Sequence, residues 1–293
     1  MQLTWQHQGE PISMKRFLTN HGISMRVIKT IKQGNGDFIV NDWVEEGVIT
    51  VYDGDVAGLR LPDETPDETV AISHQPLEVM YEDDNWLVVN KPAGLTSVPG
   101  PSNRTDTLVN RIKGHFEAEQ AANQRPHLVT RLDRDTSGIV LVAKHRIAQG
   151  ILSAPELADQ MVKTYDAWIH GTLTPDKDTI DQPIGRVDDQ PKREVVATGQ
   201  RAITKYQVVG TGLAHDVSRV QLELVTGRTH QIRVHLTALG HPLLGDELYG
   251  GDLELIDRQA LHATTLQFFD PFAQQQLSFE APLPADLQQL DQR

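Results

Sequence analysis

The apolar segments of this sequence are short and are interrupted by glycine, proline and charged residues. One of the longest unbroken apolar runs, Ile139–Ala143, has only a few residues, whereas a helix that spans a membrane needs roughly 18. Runs this short form buried strands or one face of an amphipathic helix. We therefore expect a globular chain of mixed strands and helices, with no membrane-spanning segment.

Length and composition are typical of a folded protein with about two domains. The chain has 293 residues, of which 39% are hydrophobic, as in ordinary globular domains. It has no cysteine, which excludes disulfides, thiolate metal ligands and a cysteine nucleophile. Residues 1–13 carry no basic flank followed by an apolar core, so we expect no signal peptide and a cytoplasmic protein.

The net charge of −13 argues against a protein that coats nucleic acid without specificity. A local basic surface is still compatible with this charge, because the electric field depends on how charges are distributed. The stretch from Pro11 to Gly36 contains no acidic residue. Its cations are Lys15, Arg16, Arg26, Lys29 and Lys32.

Residues 1–60 predict a small module of two helices followed by short strands. Ser13 and Ser24 are suited to be N-caps, and Gly22 and Gly34 to end the helices. The segments DFIVNDW, GVITVY and VAGLRL are typical of short strands between glycine turns. This arrangement gives the helices a basic face, which is either a binding surface or simply a solvated one.

Residues 61–77 contain three prolines and four acidic residues and predict a stiff, solvated linker. Residues 78–293 mix strand and helix patterns and would form the larger domain. Periodicity alone indicates only a mixed α/β composition for this domain.

The segment RLDRDTSGIVLVAK, residues 131–144, places two acids and two arginines directly before an apolar strand. A loop beside a buried strand presents side chains rigidly, so Asp133 and Asp135 are candidate catalytic carboxylates. A polar turn with compensating charges has the same composition and is the structural alternative.

The same residues also resemble the D-x-D-x-T nucleophile motif of haloacid-dehalogenase-type phosphotransferases. Such enzymes need a carboxylate nucleophile and a magnesium site of oxygen ligands. Here Thr136 comes one residue early, and the strong apolar strand follows the motif instead of preceding it. A Mg-dependent phosphotransferase that uses Asp133 and Asp135 is therefore the weaker alternative.

A second polar segment, residues 224–251, predicts a helix with arginines at its start. Thr229 would cap the helix, with Arg228 at its mouth and Arg233 inside it. Arginine suits a role in holding a carboxylate or phosphate through two hydrogen bonds. Three histidines lie at spacings that do not share a helical face, so we predict no metal site; they are His230, His235 and His241.

Taken in order, the motifs of this chain resemble the RluA/RluD class of RNA pseudouridine synthases. The motifs are NKPAGL, RLDRDTSG, KTY, TGRTHQIRVH with GHPLLGD, and LHA, within roughly residues 75–285. The resemblance implies an α+β catalytic domain with a mixed, largely antiparallel sheet and a central cleft, and no cofactor. Residues 1–60 more loosely resemble the RNA-binding module named for ribosomal protein S-four.

The resemblance also implies roles for single residues. Asp133 in RLD matches the catalytic aspartate of the family. Tyr165 in KTY matches the tyrosine that packs on the target base and handles the proton at uracil C5. Arg233 in HQIR matches the basic residue that pairs with the aspartate.

Further residues of these motifs would bind the substrate. Arg131 and Arg228 would support the site or contact phosphate, and Leu261 would form a hydrophobic wall. The family usually has a histidine immediately before RLD, whereas this chain has Thr130. This departure affects a contact to the flipped nucleotide but leaves the other three motif residues in place.

The predicted function is therefore isomerisation of specific uridines to pseudouridine in structured RNA. Ribosomal RNA is the preferred substrate and transfer RNA the second; we expect a monomer without an obligate protein partner. The rival from another class is a noncatalytic RNA-binding protein that has kept the fold. A basic groove around the RLD motif is expected from Arg104, Arg111, Lys113, Arg125, Arg131 and Arg134.

Overall fold

The structure is a computed structural model that describes residues 1–187, 192–213 and 216–292. Its strands and helices form a small N-terminal module and a main domain built on a 10-stranded sheet. Within the described ranges, no helix combines the length and apolar character needed to cross a membrane.

The N-terminal module contains a four-stranded antiparallel sheet in the order β1-β6-β3-β4 and a separate pair, β2 with β5. Its elements in chain order are β1 (Gln2–Gln6), β2 (Ile12–Ser13), α1 (Met14–Asn20), α2 (Met25–Lys32), β3 (Asp37–Val40), β4 (Trp43–Glu45), β5 (Thr50–Val51) and β6 (Val56–Arg60).

Local sequence signals determine where α1 and α2 begin and end. The hydroxyl oxygens of Ser13 and Ser24 accept hydrogen bonds from the first turns of α1 and α2. Gly22 and Gly34 follow the helices at positive φ, which favours glycine. The predicted caps and stops are therefore confirmed. The helices expose the five predicted cations, Lys15, Arg16, Arg26, Lys29 and Lys32.

The main domain alternates strands with short helices. Its elements are β7 (Glu78–Glu82), β8 (Trp86–Lys91), α3 (Leu108–Ala118), β9 (His127–Leu128), β10 (Ser137–Ala143), α4 (Arg146–Leu152), α5 (Pro155–Ala158), β11 (Val162–His170), β12 (Lys177–Asp181), β13 (Ile184–Arg186), β14 (Arg193–Val195), β15 (Ile203–Leu213), β16 (Val217–Leu224), α6 (Gln231–Ala238), a 3₁₀ turn (Glu247–Tyr249), β17 (Leu261–Asp270), β18 (Gln275–Glu280) and α7 (Ala285–Gln292).

The central sheet has the order β12-β15-β16-β11-β17-β10-β8-β7, with β18 added to β17 and β9 to β10. Strands β10 and β17 run parallel, and the other described pairs of this sheet are antiparallel. The prediction of an α+β fold with a mixed, largely antiparallel sheet is confirmed.

Strand β10 is buried at every residue because helices cover both faces of the sheet. Val140 packs in the same apolar cluster as Ile112 of α3, whereas Leu141 packs in the cluster of Leu152 of α4. A strand buried on both faces is apolar at successive positions and does not alternate. This explains the continuous apolar run after the RLD motif.

Helix α4 is shared by the cores of the N-terminal module and the main domain. Ile147 and Ile151 pack into the core of the N-terminal module, whereas Ala148 and Leu152 pack under the central sheet. Residues four apart lie on one face of a helix, so these two pairs form two adjacent apolar stripes. The N-terminal module is therefore packed against the main domain through α4.

Residues 61–77 contain no helix or strand and more than half of them are exposed, but polar side chains of α3 bind the backbone of this segment. Asn110 Nδ2 of α3 donates to the Ala71 carbonyl at 2.7 Å, and Lys113 Nζ donates to the Asp67 carbonyl at 2.7 Å. The segment is therefore held against α3, because its carbonyl groups satisfy the polar side chains of that helix.

The contacts of α3 also bear on the basic groove that the sequence predicts around the RLD motif. Arg111 donates to both carboxylate oxygens of Asp106 and to the Pro76 carbonyl, and Lys113 is buried under the segment 61–77. Arg125 lies 3.8 Å from the Asp67 carboxylate. Arg111 and Lys113 bind groups of the chain itself, so the expectation that these two line a groove was wrong, whereas the Arg125 side chain is 55% exposed.

The N-cap of α4 predicts a specific pH dependence of stability. His145 Nδ1 accepts a hydrogen bond from the Ala148 N–H (3.1 Å), and Nε2 lies 3.1 Å from Asn85 Oδ1, so the cap requires the neutral ring. Burial lowers the pKa of His145 to about 4. The unfolded chain takes up this proton near pH 6.5, so stability should fall by about 3 kcal/mol between pH 6.5 and 4.

The variant His145→Asn tests this dependence by urea unfolding. Asparagine is a good N-cap but does not titrate in this range. The free energy of unfolding of this variant should therefore fall less steeply from pH 6.5 to 4 than that of the unsubstituted protein. Parallel pH profiles for the two proteins would contradict the assigned role of His145.

Candidate active site

A cleft crosses the main domain next to β11, in the middle of the central sheet. Its largest cavity has a volume of about 450 Å³. One wall is the loop between β9 and β10, which carries the RLD motif. A smaller cavity of about 60 Å³ continues below it toward α6 and β17. Each of the six predicted catalytic and substrate-binding residues lines at least one of these two cavities. They are Arg131, Asp133, Tyr165, Arg228, Arg233 and Leu261.

The RLD loop is held by side chains that bind its backbone. Ser97 Oγ donates to the Leu132 carbonyl at 2.6 Å and accepts from the Leu132 N–H at 3.2 Å. Thr130 Oγ1 accepts a hydrogen bond from the Leu141 N–H of β10 at 2.9 Å. The threonine that replaces the usual histidine therefore fastens the loop to the sheet.

Lys91 is a second anchor of this loop, and its role was not predicted from the sequence. It is fully buried, and its Nζ donates to the carbonyls of Pro92 (2.9 Å), Leu95 (2.7 Å) and Arg134 (2.9 Å). These three acceptors match the three N–H donors of an ammonium group. Burial lowers the pKa of Lys91 to about 7, against the opposing effect of Asp135 and Asp133.

The centre of the site is a buried arginine between two carboxylates. Arg233 Nη1 donates to Asp133 Oδ2 at 2.9 Å, while Nε and Nη2 donate to the two oxygens of Asp246 at 2.7 and 2.8 Å. The side chains of Arg233 and Asp246 are 7% and 1% exposed, against 27% for Asp133. Burial opposes the charge of Arg233, but the two carboxylates outweigh it and raise its pKa.

The start of α6 positions this arginine through an unusual cap. His230 takes the N-cap position at φ 58°, and Thr229, which the sequence predicts as the cap, does not fill it. Instead, Gln231 Oε1 accepts hydrogen bonds from the Arg228 N–H (2.9 Å) and from Thr226 Oγ1 (2.8 Å). The long side chain of Gln231 thus reaches back to the loop before α6. The hydroxyl of Thr229 does not cap the helix.

Three polar residues of the site were not predicted to function in it: His230, Asp246 and Tyr249. His230 Nε2 lies 3.8 Å from Asp133 Oδ2, and Nδ1 lies 3.1 Å from the Tyr249 hydroxyl. The Tyr249 ring lies against Arg233, with its centroid 4.9 Å from the guanidinium carbon. Burial lowers the pKa of His230, which favours the neutral imidazole at pH 7. In the sequence, Asp246 and Tyr249 lie in a glycine-rich segment that is typical of an ordinary structural turn.

Tyr165 and Leu261 form apolar walls beside Asp133. The pairing of β11 with β17 shifts register between Thr164 and Tyr165, so a bulge lies at this residue. Bulges redirect side chains next to functional sites. Burial, together with the Asp133 charge, raises the pKa of Tyr165, which favours the protonated phenol. Leu261 begins β17 and lines the smaller cavity.

Asp135 is not brought into the cleft with Asp133. Its carboxylate accepts hydrogen bonds from Arg134 Nε and Nη2 at 2.9 to 3.1 Å, and its carbonyl accepts one from Arg258. Across the described ranges, no cluster of three or more His, Asp or Glu side chains is arranged to hold a metal ion. Because each of the two aspartates is paired with its own arginine, the geometry disfavours the phosphotransferase alternative.

Comparisons with known proteins agree with this geometry. The sequence profile of the family described as RNA pseudouridylate synthase matches residues 85–238. An uncharacterised RNA pseudouridine synthase of Bacillus subtilis, YjbO, is 41% identical over 95% of this chain and 98% of its own length. Ribosomal large subunit pseudouridine synthase D of Xylella fastidiosa is 38% identical over 87% and 80%. The structure of human RNA pseudouridylate synthase domain containing 1 superimposes with a TM-score of 0.59 and 27% identity over 72% of this chain and 85% of that one.

The glycine that follows the RLD loop gives a test of how the loop is supported. Gly138 has φ 111°, and a Cβ atom there would lie 2.2 Å from the Ala263 carbonyl oxygen of β17. The variant Gly138→Ala should therefore lose about 3 kcal/mol of stability in urea unfolding, from overpacking and backbone strain.

A matched substitution separates this effect from the general effect of adding a methyl group. A Cβ atom at Gly150, in helix α4, meets nothing within 4 Å. Gly150→Ala should leave stability unchanged or raise it by up to about 1 kcal/mol, because alanine favours helix. If both variants were equally stable, β10 and β17 would not approach as closely as described.

Proposed function

This chain belongs to the RNA pseudouridylate synthase family, and we propose that Asp133 is the carboxylate with which it isomerises uridine to pseudouridine in RNA. The observation that carries this assignment is the position of Asp133 in the cleft. Arg233 binds its Oδ2, whereas Oδ1 accepts no hydrogen bond from the described part of the chain. One oxygen is therefore fixed and the other is left to face a substrate.

The reaction needs no net gain or loss of atoms. The N1–C1′ bond of uridine breaks, the base turns, and C5 bonds to C1′; a proton leaves C5 and N1 gains one. Asp133 would either attack C1′ or take a neighbouring sugar proton, and both routes free the uracil to rotate. Arg233, itself held by Asp246, keeps the carboxylate in one orientation for either route.

We assign Tyr165 to the target base. A base within a duplex is not accessible, so the uridine must be unpaired or flipped and then stacks on an aromatic ring. Tyr165 and Leu261 supply two apolar surfaces beside Asp133. The raised pKa of Tyr165 favours the protonated phenol, so we assign to this residue a stacking surface and a hydrogen-bond donor for the base.

We propose ribosomal RNA as the substrate. The support is the similarity to a relative named for the large ribosomal subunit, which extends over 87% of this chain. Exposed cations on α1 and α2 would supply a second contact to RNA away from the cleft. None of these five side chains forms an ion pair with a described residue: Lys15, Arg16, Arg26, Lys29 and Lys32.

The variant Asp133→Asn tests the catalytic assignment. The amide keeps the shape of the side chain but removes the charge, so pseudouridine formation should fall on the order of 1,000-fold or more, as for other essential catalytic residues. RNA binding should stay within about twofold of that of the unsubstituted enzyme, because phosphate contacts dominate affinity. The measurement is pseudouridine mapping of total RNA from cells that lack the protein and are complemented with each variant.

Asp135→Asn is the matched control, since its carboxylate lies outside both cavities. It should restore the same modified sites as the unsubstituted enzyme. Restoration by Asp133→Asn as well would remove Asp133 from the mechanism. If neither the variants nor the unsubstituted enzyme restored pseudouridine at any position in the RNA, the noncatalytic RNA-binding alternative would be favoured.

The role of the basic helices is tested by charge removal rather than by deletion, because deletion would expose Ile147 and Ile151 of α4. Replacing the five cations by glutamine should weaken binding to ribosomal RNA. It should also lower the slope of log K against log salt by about 0.7 to 0.9 for each phosphate that the helices no longer neutralise. The control replaces Lys177 and Arg201, exposed cations of the main domain, and should leave the slope unchanged. An unaltered slope in the fivefold variant would exclude these helices from RNA binding.

A further inference from the structure

Strand β4 lies at the outer edge of the four-stranded sheet of the N-terminal module. In the part of the chain that the structure describes, it pairs with β3 alone, so its other edge has no strand beside it. All three residues of β4 are exposed. An edge strand of an antiparallel sheet ordinarily buries one face against a core, whereas β4 presents both faces and one edge to solvent.

The side chains on and just after β4 include large apolar groups. Trp43 is 75% exposed, and Val48, in the loop that follows the strand, is fully exposed. Across the ladder, Trp43 is opposite Val40, which packs against the apolar cluster of the module. Side chains that are opposite each other share one face of a sheet. Trp43 therefore continues the core-facing side of the sheet beyond the part that is covered.

Tyr52 lies close to the turn that precedes β4. The carboxylate of Asp55 accepts one hydrogen bond from Asn41 Nδ2 at 2.7 Å and another from the Tyr52 N–H at 2.8 Å. The Tyr52 side chain is 58% exposed. One carboxylate thus holds together the two segments that expose these aromatic side chains.

The charge of this region is negative throughout. Residues 41–55 contain no lysine or arginine and five acidic residues, which are Asp42, Glu45, Glu46, Asp53 and Asp55. Asp42, Glu45 and Glu46 form no ion pair with a described residue. Exposed carboxylates beside exposed apolar side chains complement a partner that carries cations and apolar groups together.

This charge discriminates among the occupants that could cover β4. The phosphate backbone of RNA would be repelled by the carboxylates. A second copy of the chain in a symmetric contact would bring the same acidic residues against each other. Charged residues by themselves are enough to protect a sheet edge from pairing, and they do not require an exposed tryptophan beside them. A basic segment of another protein fits both the charge and the apolar side chains.

We propose that β4 is the docking site for an extended, lysine- or arginine-rich segment of a partner protein, which adds a strand to the free edge of β4. Backbone hydrogen bonds to the edge would supply affinity, and the side chains of the segment would supply specificity. Its apolar side chains would cover Trp43, and its cations would pair with Asp42, Glu45 and Glu46. The inference does not depend on the proposed function, because the residues described around the two cavities of the cleft belong to the main domain.

Synthetic peptides test this docking site on the full chain. We would titrate the protein with a fluorescently labelled eight-residue peptide of alternating lysine and valine, and follow fluorescence anisotropy at low ionic strength. One control peptide has glutamate in place of lysine, and another has every second backbone nitrogen methylated, so that it cannot form a ladder. The lysine peptide should bind at least about tenfold more tightly than either control, because charge-assisted and ladder hydrogen bonds account for roughly that factor.

The variant Trp43→Ala should weaken binding of the lysine peptide by about 30-fold, as for a tryptophan at the centre of an interface. Because this side chain is exposed, the substitution should leave the melting temperature unchanged. Leu253→Ala is the matched control: this side chain is 48% exposed on the main domain, and its loss should not affect peptide binding.

A second variant tests the contribution of charge. Combined replacement of Asp42 by asparagine and of Glu45 and Glu46 by glutamine should weaken binding of the lysine peptide. It should also make the remaining affinity less sensitive to salt, because fewer ion pairs are left to be screened. Asp257→Asn, at an exposed position of the main domain, should change neither quantity.

Several results would overturn the inference. One is equal affinity of the unsubstituted chain and Trp43→Ala for the lysine peptide, and another is failure of that peptide to bind. Equal affinity for the methylated peptide would exclude an added strand. Dimerisation that Trp43→Ala abolishes would assign the surface to a second copy, and weaker binding of oligouridine by Trp43→Ala would assign it to RNA.

Discussion

The site depends on one buried guanidinium that two carboxylates share. Arg233 uses two donors on Asp246 and one on Asp133, and its face lies on Tyr249. A buried arginine is costly unless it is fully paired, and Asp246 supplies that pairing away from the substrate. Asp133 can therefore be only partly engaged and still be oriented. A lysine would lack the planar fork that holds two carboxylates at fixed geometry.

The loop that carries Asp133 is rigid because its backbone is bound from several directions. Lys91 and Ser97 bind carbonyls of this loop and of the NKPAGL turn, and Thr130 binds the N–H of Leu141 in β10. Functional residues on loops need such support to keep their geometry. Lys91 of the NKPAGL motif, Ser97 just after it and Thr130 of the RLD loop thus support Asp133, the proposed catalytic residue, through backbone hydrogen bonds.

An acidic protein that acts on RNA must arrange its cations carefully. Some cations near the RLD loop serve the fold, as Arg111 and Lys113 do by holding residues 61–77 against α3. In the described ranges, cations without acidic partners remain on α1 and α2, and Arg131 and Arg228 remain beside the cleft. Affinity for a phosphate backbone follows from local contacts, so a net charge of −13 does not oppose binding at these two places.

The sequence by itself determined the features that depend on neighbouring residues. Ser13 and Ser24 each accept a hydrogen bond from a residue three positions later and so cap their helices. The continuous apolar run of β10 indicated a buried strand. The order of the motifs also predicted Asp133 and Arg233 as residues of the site. The resemblance also implied that these two side chains, 100 residues apart, pair, and only the tertiary structure decided that Asp246 shares the same arginine. Such contacts form only when the fold brings the RLD loop, α6 and the turn after α6 together, and no local sequence pattern encodes that arrangement. Helix caps and strand runs arise from short-range interactions, which the sequence displays directly.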